Sequence, residues 1–392
     1  VNAPLRLGVA GLGRGFMLML PTFLRDARVR LVAAADPRPE ARARFVQDFG
    51  GTAYADVAAM CADPQVEAVY VATPHQHHLD HVRLAAACGR HVMVEKPMAL
   101  SLAACQAMIE ACRQAGVQLL VGHSHSFDAP VLRARAMIAS GAYGRLGMIT
   151  AVNFTDFLYR PRRPEELDTA QGGGVVFSQA AHQIDIVRLL GGGLVRSVRA
   201  VTGTWDPARP TESAYSALLT FADGAFATLT YSGHAHFDTD EFQGWVGELG
   251  QERDAAAYGT ARAALAKLPS PQAEAAFKAT RAYGVAPAPD TASAHHNHFG
   301  LLIASCAGAD LRPMPDGVMV YGHAERRLER LPPPEVPRAE VTDELLAACR
   351  DGVAPRHSGA WGMATLEVCL ALLDSARTGA EIALHHQCAS AD

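Results

Sequence analysis

Lysine is nearly missing from this chain. Only Lys96, Lys267 and Lys278 occur among 35 basic residues; the rest are arginine. Where the two cations are interchangeable the chain carries arginine, so a surviving lysine marks a place where an amine that can lose its proton is of use. There is no excess of charge of one sign. The 35 basic residues face 40 acidic ones, for a net charge of -5 and a pI of about 6.4. That balance excludes a general attraction to nucleic acid or to an anionic membrane. There is no C-x-x-C pair among the eight cysteines, most of which sit among Ala, Leu and Val, with Cys105 and Cys112 on one face of a helix-like stretch. A disulfide framework is therefore not expected, and free thiols fit a reducing cytoplasm. There is no long apolar run either. Phe16–Leu24 is nine residues long and contains Pro21, whereas a span needs about 20. No basic leader precedes the strand-like residues that begin at Leu5, so the expectation is a cytoplasmic protein without membrane or nucleic-acid partners.

What is present reads as a globular α/β protein. The chain is 49% hydrophobic and 19% charged over 392 residues, enough for a sizeable core and two domains. Up to residue 122, apolar strands (Leu5–Ala10, Val29–Ala35, Ala68–Ala72, His91–Glu95, Val117–Val121) alternate with helix-like stretches (Pro39–Asp48, Asp56–Ala62, His77–Cys88, Leu102–Ala115), with Asp56 and Ser101 at N-cap positions. Strands that are apolar throughout are buried on both faces, which predicts a parallel sheet covered by helices. After residue 125 the pattern changes. Leu146–Phe157, Val195–Thr204, Ser213–Phe221 and Ala225–Ser232 partly alternate, and Asp223-Gly224 reads as a hairpin turn, predicting an antiparallel or mixed open sheet. One helix, Val175–Leu190, follows Gly172-Gly173-Gly174. The expected division is a dinucleotide-binding domain at 1–125 and an α/β domain at 126–392, with an Ala-rich insertion at 250–295 and terminal helices within 338–392.

Directly after the first strand comes Gly11-Leu12-Gly13-Arg14-Gly15-Phe16. A glycine turn between strand and helix lets backbone amides approach a pyrophosphate at the helix N-terminus. Thr73, Pro74 and His78, at the end of Ala68–Ala72, complete the candidate cofactor set with Glu95 and Lys96. Asp36 ends the second strand, where a carboxylate accepts from a ribose diol. Asp36 points to NAD; Arg38, two residues on, could instead hold the 2′-phosphate of NADP. The third glycine of the usual spacing falls on Phe16, with Gly15 one place early.

Val71-Ala72-Thr73-Pro74-His75-Gln76-His77-His78, then Glu95-Lys96-Pro97, then Gly172-Gly173-Gly174, then His182-Gln183-Ile184-Asp185 occur in this order. In that order and spacing the chain resembles the glucose–fructose oxidoreductase and inositol dehydrogenase (Gfo/Idh/MocA) family, from Leu5 to about Leu384, with 250–295 less typical. The resemblance implies an N-terminal Rossmann domain and a C-terminal α/β domain whose open antiparallel sheet makes subunit contacts in a dimer or tetramer. It also implies that Lys96 stands beside the nicotinamide and the reacting hydroxyl, and that His182 is the acid/base residue. The family's Asp four residues before that histidine is Ser178 here. Independently, alcohol oxidation needs a base with a pKa near working pH. Histidine starts there and a desolvated lysine can be lowered toward it. Asp185, one turn beyond His182, could orient the imidazole or brace the helix.

The substrate signal is Asp156-Phe157-Leu158-Tyr159-Arg160-Pro161-Arg162-Arg163-Pro164. Three arginines beside aromatics, with prolines holding the loop, suit a planar dianion. With Phe299-Gly300-Leu301-Leu302 and Asp310-Leu311-Arg312, this segment is similar to the phthalate 4,5-cis-dihydrodiol dehydrogenase branch of the family, which implies a cis-dihydrodiol with two adjacent carboxylates. Tyr159, Arg160, Arg162, Arg163, Ser178, Asp185, His123 and His125 form the candidate substrate-facing set. Sugar or cyclitol oxidation is the alternative within the family. A non-catalytic dinucleotide sensor is the alternative that Ser178 suggests. The paired histidines (His75, His77, His78 and His81; His123 and His125; His234 and His236; His295, His296 and His298) raise a metal-dependent hydrolase, but His123-Ser124-His125 follows a Rossmann-type strand, and no metal is expected.

Overall fold

The strands of the first 122 residues are short and β-branched or aliphatic, and the computed structural model, which describes residues 3–285 and 294–391, pairs them all in parallel. In chain order the elements are β1 (Leu5–Ala10), α1 (Arg14–Arg25), β2 (Val29–Ala35), α2 (Pro39–Phe49), β3 (Thr52–Tyr54), α3 (Val57–Ala62), β4 (Ala68–Val71), α4 (His78–Ala87), β5 (His91–Val94), α5 (Leu102–Ala115) and β6 (Leu119–Val121). The sheet runs β3-β2-β1-β4-β5-β6. This is the doubly wound dinucleotide-binding order, and its reversal between β1 and β4 opens a crevice at the strand C-termini. Leu5, Leu7, Val9, Val69, Tyr70, Val71 and Val92 are fully buried, as helices on both faces require. Asp56 and Ser101 accept the amides of Ala59 and Ala104, capping α3 and α5. β3 was not anticipated; three residues are too few to show a period.

By its contacts the chain divides into two units, Val1–His123 with Ala276–Ala292 and Glu335–Met363, and Ser124–Ala275 with Ser293–Pro334 and Ala364–Asp392. The reading of a single boundary near 125 differs from this, because later segments return to the first unit. Tyr283 is buried edge-on against Phe16, with centroids 5.2 Å apart, and its hydroxyl donates to Asp48 at 2.7 Å. Gly284, at φ +90°, lies so close to α2 that a Cβ would stand 2.9 Å from the Ala41 Cα. Thr342 donates to the buried Asp26 at 2.6 Å, and the Val121 amide donates to the His357 carbonyl at 2.7 Å.

The second unit is built on α6 (Ala129–Ala139), β7 (Leu146–Phe154), α7 (Ala181–Leu190), β8 (Val195–Gly203), β9 (Ala214–Phe221), β10 (Phe226–Ser232), α8 (Thr260–Leu265), α9 (Pro271–Ala279) and β11 to β14 (Leu301–Cys306, Asp310–Met314, Gly317–Tyr321, Arg326–Arg330). α10 (Ala339–Arg350) belongs to the first unit. The division falls inside α9 and again inside α11 (Gly359–Thr378), and β15 (Ile382–Ala383) ends the order. The sheet runs β14-β13-β12-β11-β7-β10-β9-β8-β15. Among the described residues, only β7 and β10 pair in parallel in this sheet; its other neighbouring strands are antiparallel. Asp223-Gly224 makes the β9–β10 turn, with Gly224 at φ +88°. The expected insertion forms two short helices, and its residues 286–293 lie outside the described residues. Among the described residues, no helix is long and apolar enough to cross a membrane.

Every residue of α7 is buried, so its polar side chains need internal partners. A π-helical stretch, Val176–Ala180, leads into it. Gly284→Ala forces a Cβ into Ala41 and a side chain onto positive φ, a cost of about 1–3 kcal/mol. Faster backbone hydrogen exchange over residues 276–285, with little change elsewhere in the first unit, is the expected result; unchanged exchange there would contradict the packing.

Candidate active site

The turn after β1 is shaped for an anion. Gly11 sits at φ +90°, where a Cβ would stand 3.0 Å from the Ala72 carbonyl oxygen and from Thr73. Gly13 has open space where a Cβ would point, and as N-cap of α1 it offers no side-chain cap to the first-turn amides. Amides at a helix N-terminus and the helix dipole favour an anion there. Gly15 is where α1 comes closest to the sheet, since a Cβ there would lie 3.4 Å from Glu95 and 3.6 Å from Ala72. Phe16 can then replace the usual glycine, because its ring turns away onto Tyr283. Arg14 begins α1.

Asp36 is 5% exposed, and its carboxylate accepts the Leu12 amide at 2.9 Å, tying β2 to the glycine turn. Arg38 donates to the same carboxylate at 3.0 and 3.1 Å and to the Leu12 and Tyr283 carbonyls at 2.9 and 3.3 Å. Its guanidinium is thus committed; a 2′-phosphate would have to compete with Asp36 for it. The donor set fits a dinucleotide with a free ribose diol.

At the ends of β4 and β5 the remaining cofactor candidates gather. Glu95 is buried, accepts from the Tyr70 hydroxyl, and lies 3.9 Å from Nδ1 of His123. Burial alone would raise its pKa; His123, Tyr70 and Lys96 outweigh that and hold it below the ordinary carboxylate value. Lys96 is half-buried at the end of this strand. His78 is buried with Nε2 2.9 Å from the Thr73 carbonyl and Nδ1 3.2 Å from that of Met98. Burial pushes its pKa down to about 4, and a neutral ring donates to one carbonyl only, so the shorter contact, to Thr73, carries the proton. His78 therefore pins the Thr73-Pro74 turn. Thr73 also bonds His81 at 2.9 Å.

His182 belongs to the second unit. Its Nδ1 is 3.2 Å from the Ser124 hydroxyl, and its ring packs on His125 at 5.0 Å and Phe299 at 5.4 Å. Asp185 accepts from Ser126 and, at 2.9 Å, from Thr365. These contacts brace α7 against the segment before α6 and against α11. Ser178 is half-buried within the π-helical stretch. His125 is 2% exposed, with Nδ1 2.7 Å from Asp128 and Nε2 3.4 Å from Glu248. Burial opposes its charge, yet Asp128 and Glu248 raise its pKa to about 9. Glu248, despite burial, is lowered to about 2 by His125, Arg160 and His298. His123 and His125, two residues apart, thus serve different units.

The arginine loop separates rather than converging. Arg160 pairs with Asp156 at 3.1 Å and Glu248 at 3.8 Å. Arg162 lies over the Phe157 ring at 3.6 Å. Arg163 pairs at the surface with Glu165 and Glu166, at 3.2 and 3.4 Å. Tyr159 donates to Asp206 at 2.8 Å and is covered by Arg262. The sequence reading passed over Glu248, Asp128, Ser124 and Tyr231. Glu248 stands alone in an irregular stretch, and only the fold shows that it meets two cations. Among the described residues, no group of three or more His, Cys, Asp or Glu side chains is placed to share a metal ion.

A parallel sheet of this order with an uncapped glycine turn and a carboxylate at the end of β2, joined to an open mixed sheet carrying a buried histidine, defines a nicotinamide-dependent oxidoreductase. Residues 5–123 match the oxidoreductase family, NAD-binding Rossmann fold, of Gfo/Idh/MocA, and residues 131–252 match the Gfo/Idh/MocA C-terminal domain. The chain belongs to the Gfo/Idh/MocA family. It is 47% identical over 377 residues, 95% of each chain, to a 1-carboxy-3-chloro-3,4-dihydroxycyclohexa-1,5-diene dehydrogenase of Comamonas testosteroni. It is 30% identical over half its length to a myo-inositol 2-dehydrogenase of Thermotoga maritima, 58% of which is covered. Among solved structures it is similar to a protein of Bordetella bronchiseptica RB50 described as a dehydrogenase (TM-score 0.92, 40% identity, 97% of this chain and 100% of that one). It shares its fold with an oxidoreductase of Agrobacterium radiobacter solved with NAD+ (TM-score 0.72, 19% identity, 97% and 98% covered).

Removing the carboxylate that ties the glycine turn to β2 tests the cofactor end. Asp36→Ala is expected to weaken NADH binding about 10- to 100-fold, the worth of a charge-assisted hydrogen bond; a fluorescence titration giving the wild-type constant would contradict this. The His125 pair gives a pH signature. Its pKa is raised in the folded state, so its stabilisation is complete below the ordinary value near 6.5 and is lost as pH rises through about 9. Glu248→Gln removes one of its two anions. The wild type should therefore melt about 2–8 °C above the variant near neutral pH, a gap that narrows above about pH 9. A gap constant with pH would rule the pairing out.

Proposed function

We propose that this enzyme oxidises a ring cis-dihydrodiol that carries carboxylate, a class that includes phthalate cis-4,5-dihydrodiol. The observation that carries this reading is the segment 156–163, which sets guanidinium groups among aromatic rings in the unit that holds His182. The similarity along the whole chain to a dehydrogenase of a carboxylated cyclohexadiene diol supports it.

Bound NAD supplies the hydride acceptor. The chain's residues hold the substrate and manage the proton. We assign the acid/base role to His182. With Nδ1–H donating to the Ser124 hydroxyl, Nε2 is the ring nitrogen that would take the proton of a ring hydroxyl. Lys96, from the first unit, is assigned to the reacting oxygen as an amine that can release its proton, which arginine cannot do. Loss of a hydride from the carbinol carbon and a proton from its hydroxyl yields a ketone, whose enolisation gives a catechol and restores aromaticity. Ser178 stands where the family has Asp, and Ser124 is a polar neighbour of the imidazole. The proposal includes a cytoplasmic homo-oligomer formed through the open sheet, on which Val201, Leu218 and Phe226 are exposed.

The test is NADH formation with carboxylated cis-dihydrodiols set beside inositols and hexoses. The diols should be turned over and the sugars should not; turnover of a sugar or cyclitol alone would transfer the enzyme to that branch. Lys96→Arg should lower kcat by about 10²–10⁴-fold with NADH affinity retained; a fully active variant would remove Lys96 from the chemistry.

A further inference from the structure

The three arginines of the 156–163 loop differ in their counter-charges. Arg160 is matched by Asp156 and Glu248, and Arg163 by Glu165 and Glu166. Arg162 meets no carboxylate within ion-pair distance of its guanidinium among the described residues. One Nη donates to the Phe157 carbonyl at 2.7 Å, the group lies flat on the Phe157 ring, and its buried Nε has no hydrogen-bond partner. Its own backbone amide is held by Glu274 at 2.7 Å, and that carboxylate is spent on Arg209 at 2.8 Å. Burial lowers the Arg162 pKa to about 10; Glu166 compensates in part, while Arg160 and Arg209 add to the unfavourable field. A cation left in this condition is costly unless something supplies its anion.

The neighbourhood shows what kind of anion. Tyr231, which shares the field of Arg160 and Arg162, stacks on Phe299 with centroids 6.1 Å apart and planes at 14°. Phe299 packs in turn on His182. A run of buried aromatic rings therefore leads from the side of the unmatched guanidinium to His182, a layout that suits a flat ring with a carboxylate on one side and a reacting hydroxyl on the other. A second carboxylate would have to compete for the loop's other two cations, since Arg160 is matched by Asp156 and Glu248 and Arg163 by Glu165 and Glu166.

Resting on the reading of the preceding section, we propose that Arg162 is the carboxylate anchor of the substrate site, and that it takes a ring diol with one carboxylate in preference to one with two adjacent carboxylates. Arg160 is then a positioning residue that holds Glu248 against His125, and Arg163 is a surface group.

Calorimetry on the NADH-loaded protein with three product-type ligands tests this. Wild type should bind 3,4-dihydroxybenzoate at least about 30-fold more tightly than catechol, the worth of one partly desolvated ion pair, and more tightly than 4,5-dihydroxyphthalate. Arg162→Met should bring the benzoate-to-catechol ratio to within about threefold, with retained NADH affinity reporting that the protein is folded. Arg162→Lys, which keeps the charge but not the planar fork, should retain part of the preference. A preference that survives in Arg162→Met, or a wild type that binds 4,5-dihydroxyphthalate most tightly, would overturn the assignment even if dihydrodiols are turned over. Failure of all three ligands to bind, with NADH still bound, would remove the ring-diol reading and this inference together.

Discussion

A charge withdrawn from water must meet a counter-charge or be neutralised, and breaking such a buried pair costs about 3–5 kcal/mol. The second unit is arranged around that constraint. His125 keeps its proton because Asp128 and Glu248 flank it, and Glu248 in turn steadies Arg160. Arg188, fully buried on α7, donates to Thr365 at 2.8 Å and Gln387 at 3.0 Å. Asp185 takes hydroxyls from Ser126 and Thr365. Gln183 accepts from Tyr215 at 2.7 Å. A helix buried on every side is thereby tied at one polar residue after another, which locks the rotamers around His182 and gives its ring one orientation. Preorganisation of this kind spares the reaction the work of reorganising its surroundings.

The first unit solves a different problem with backbone. Its ligand is a pyrophosphate flanked by sugars, and the turn from Gly11 to Gly15 answers with amides, a helix dipole and the absence of side chains. Asp36 closes this arrangement from β2 through the Leu12 amide. Arg38 then closes Asp36, and the returning Tyr283 carbonyl helps to hold Arg38. A segment distant in sequence thus bears on the ribose end of the cofactor cleft. The same return explains the odd glycine spacing: Gly15 takes over the close helix–sheet contact, and Phe16 becomes an apolar partner for Tyr283.

Much of the site was legible because its chemistry requires particular residue types at particular places. Glycines at positive φ, a carboxylate at the end of β2 and a lysine at the end of β5 follow from strand ends and spacing. Lysine scarcity alone did not single out Lys96, since Lys267 and Lys278 also survive; its place in Glu95-Lys96-Pro97 did. The arginine loop was legible only in part. Three arginines in four positions look equivalent in a row of letters, yet Arg163 closes a surface turn, Arg160 balances two carboxylates and Arg162 lies on Phe157. Glu248, Asp128 and Ser124 carried no local signal, since each acts through a partner far along the chain or through a turn without a motif.

The sequence by itself determined the layered plan: apolar strands alternating with helices must bury both faces of a parallel sheet, and a glycine turn after the first of them must receive an anion. Tertiary structure alone decided which charges are matched, and which distant segments complete the first unit. The physical reason is range. Periodicity and turn chemistry act over a few residues and can be read in order, whereas electrostatic compensation depends on distance in space, and Glu248 meets His125 and Arg160 only once the chain has folded.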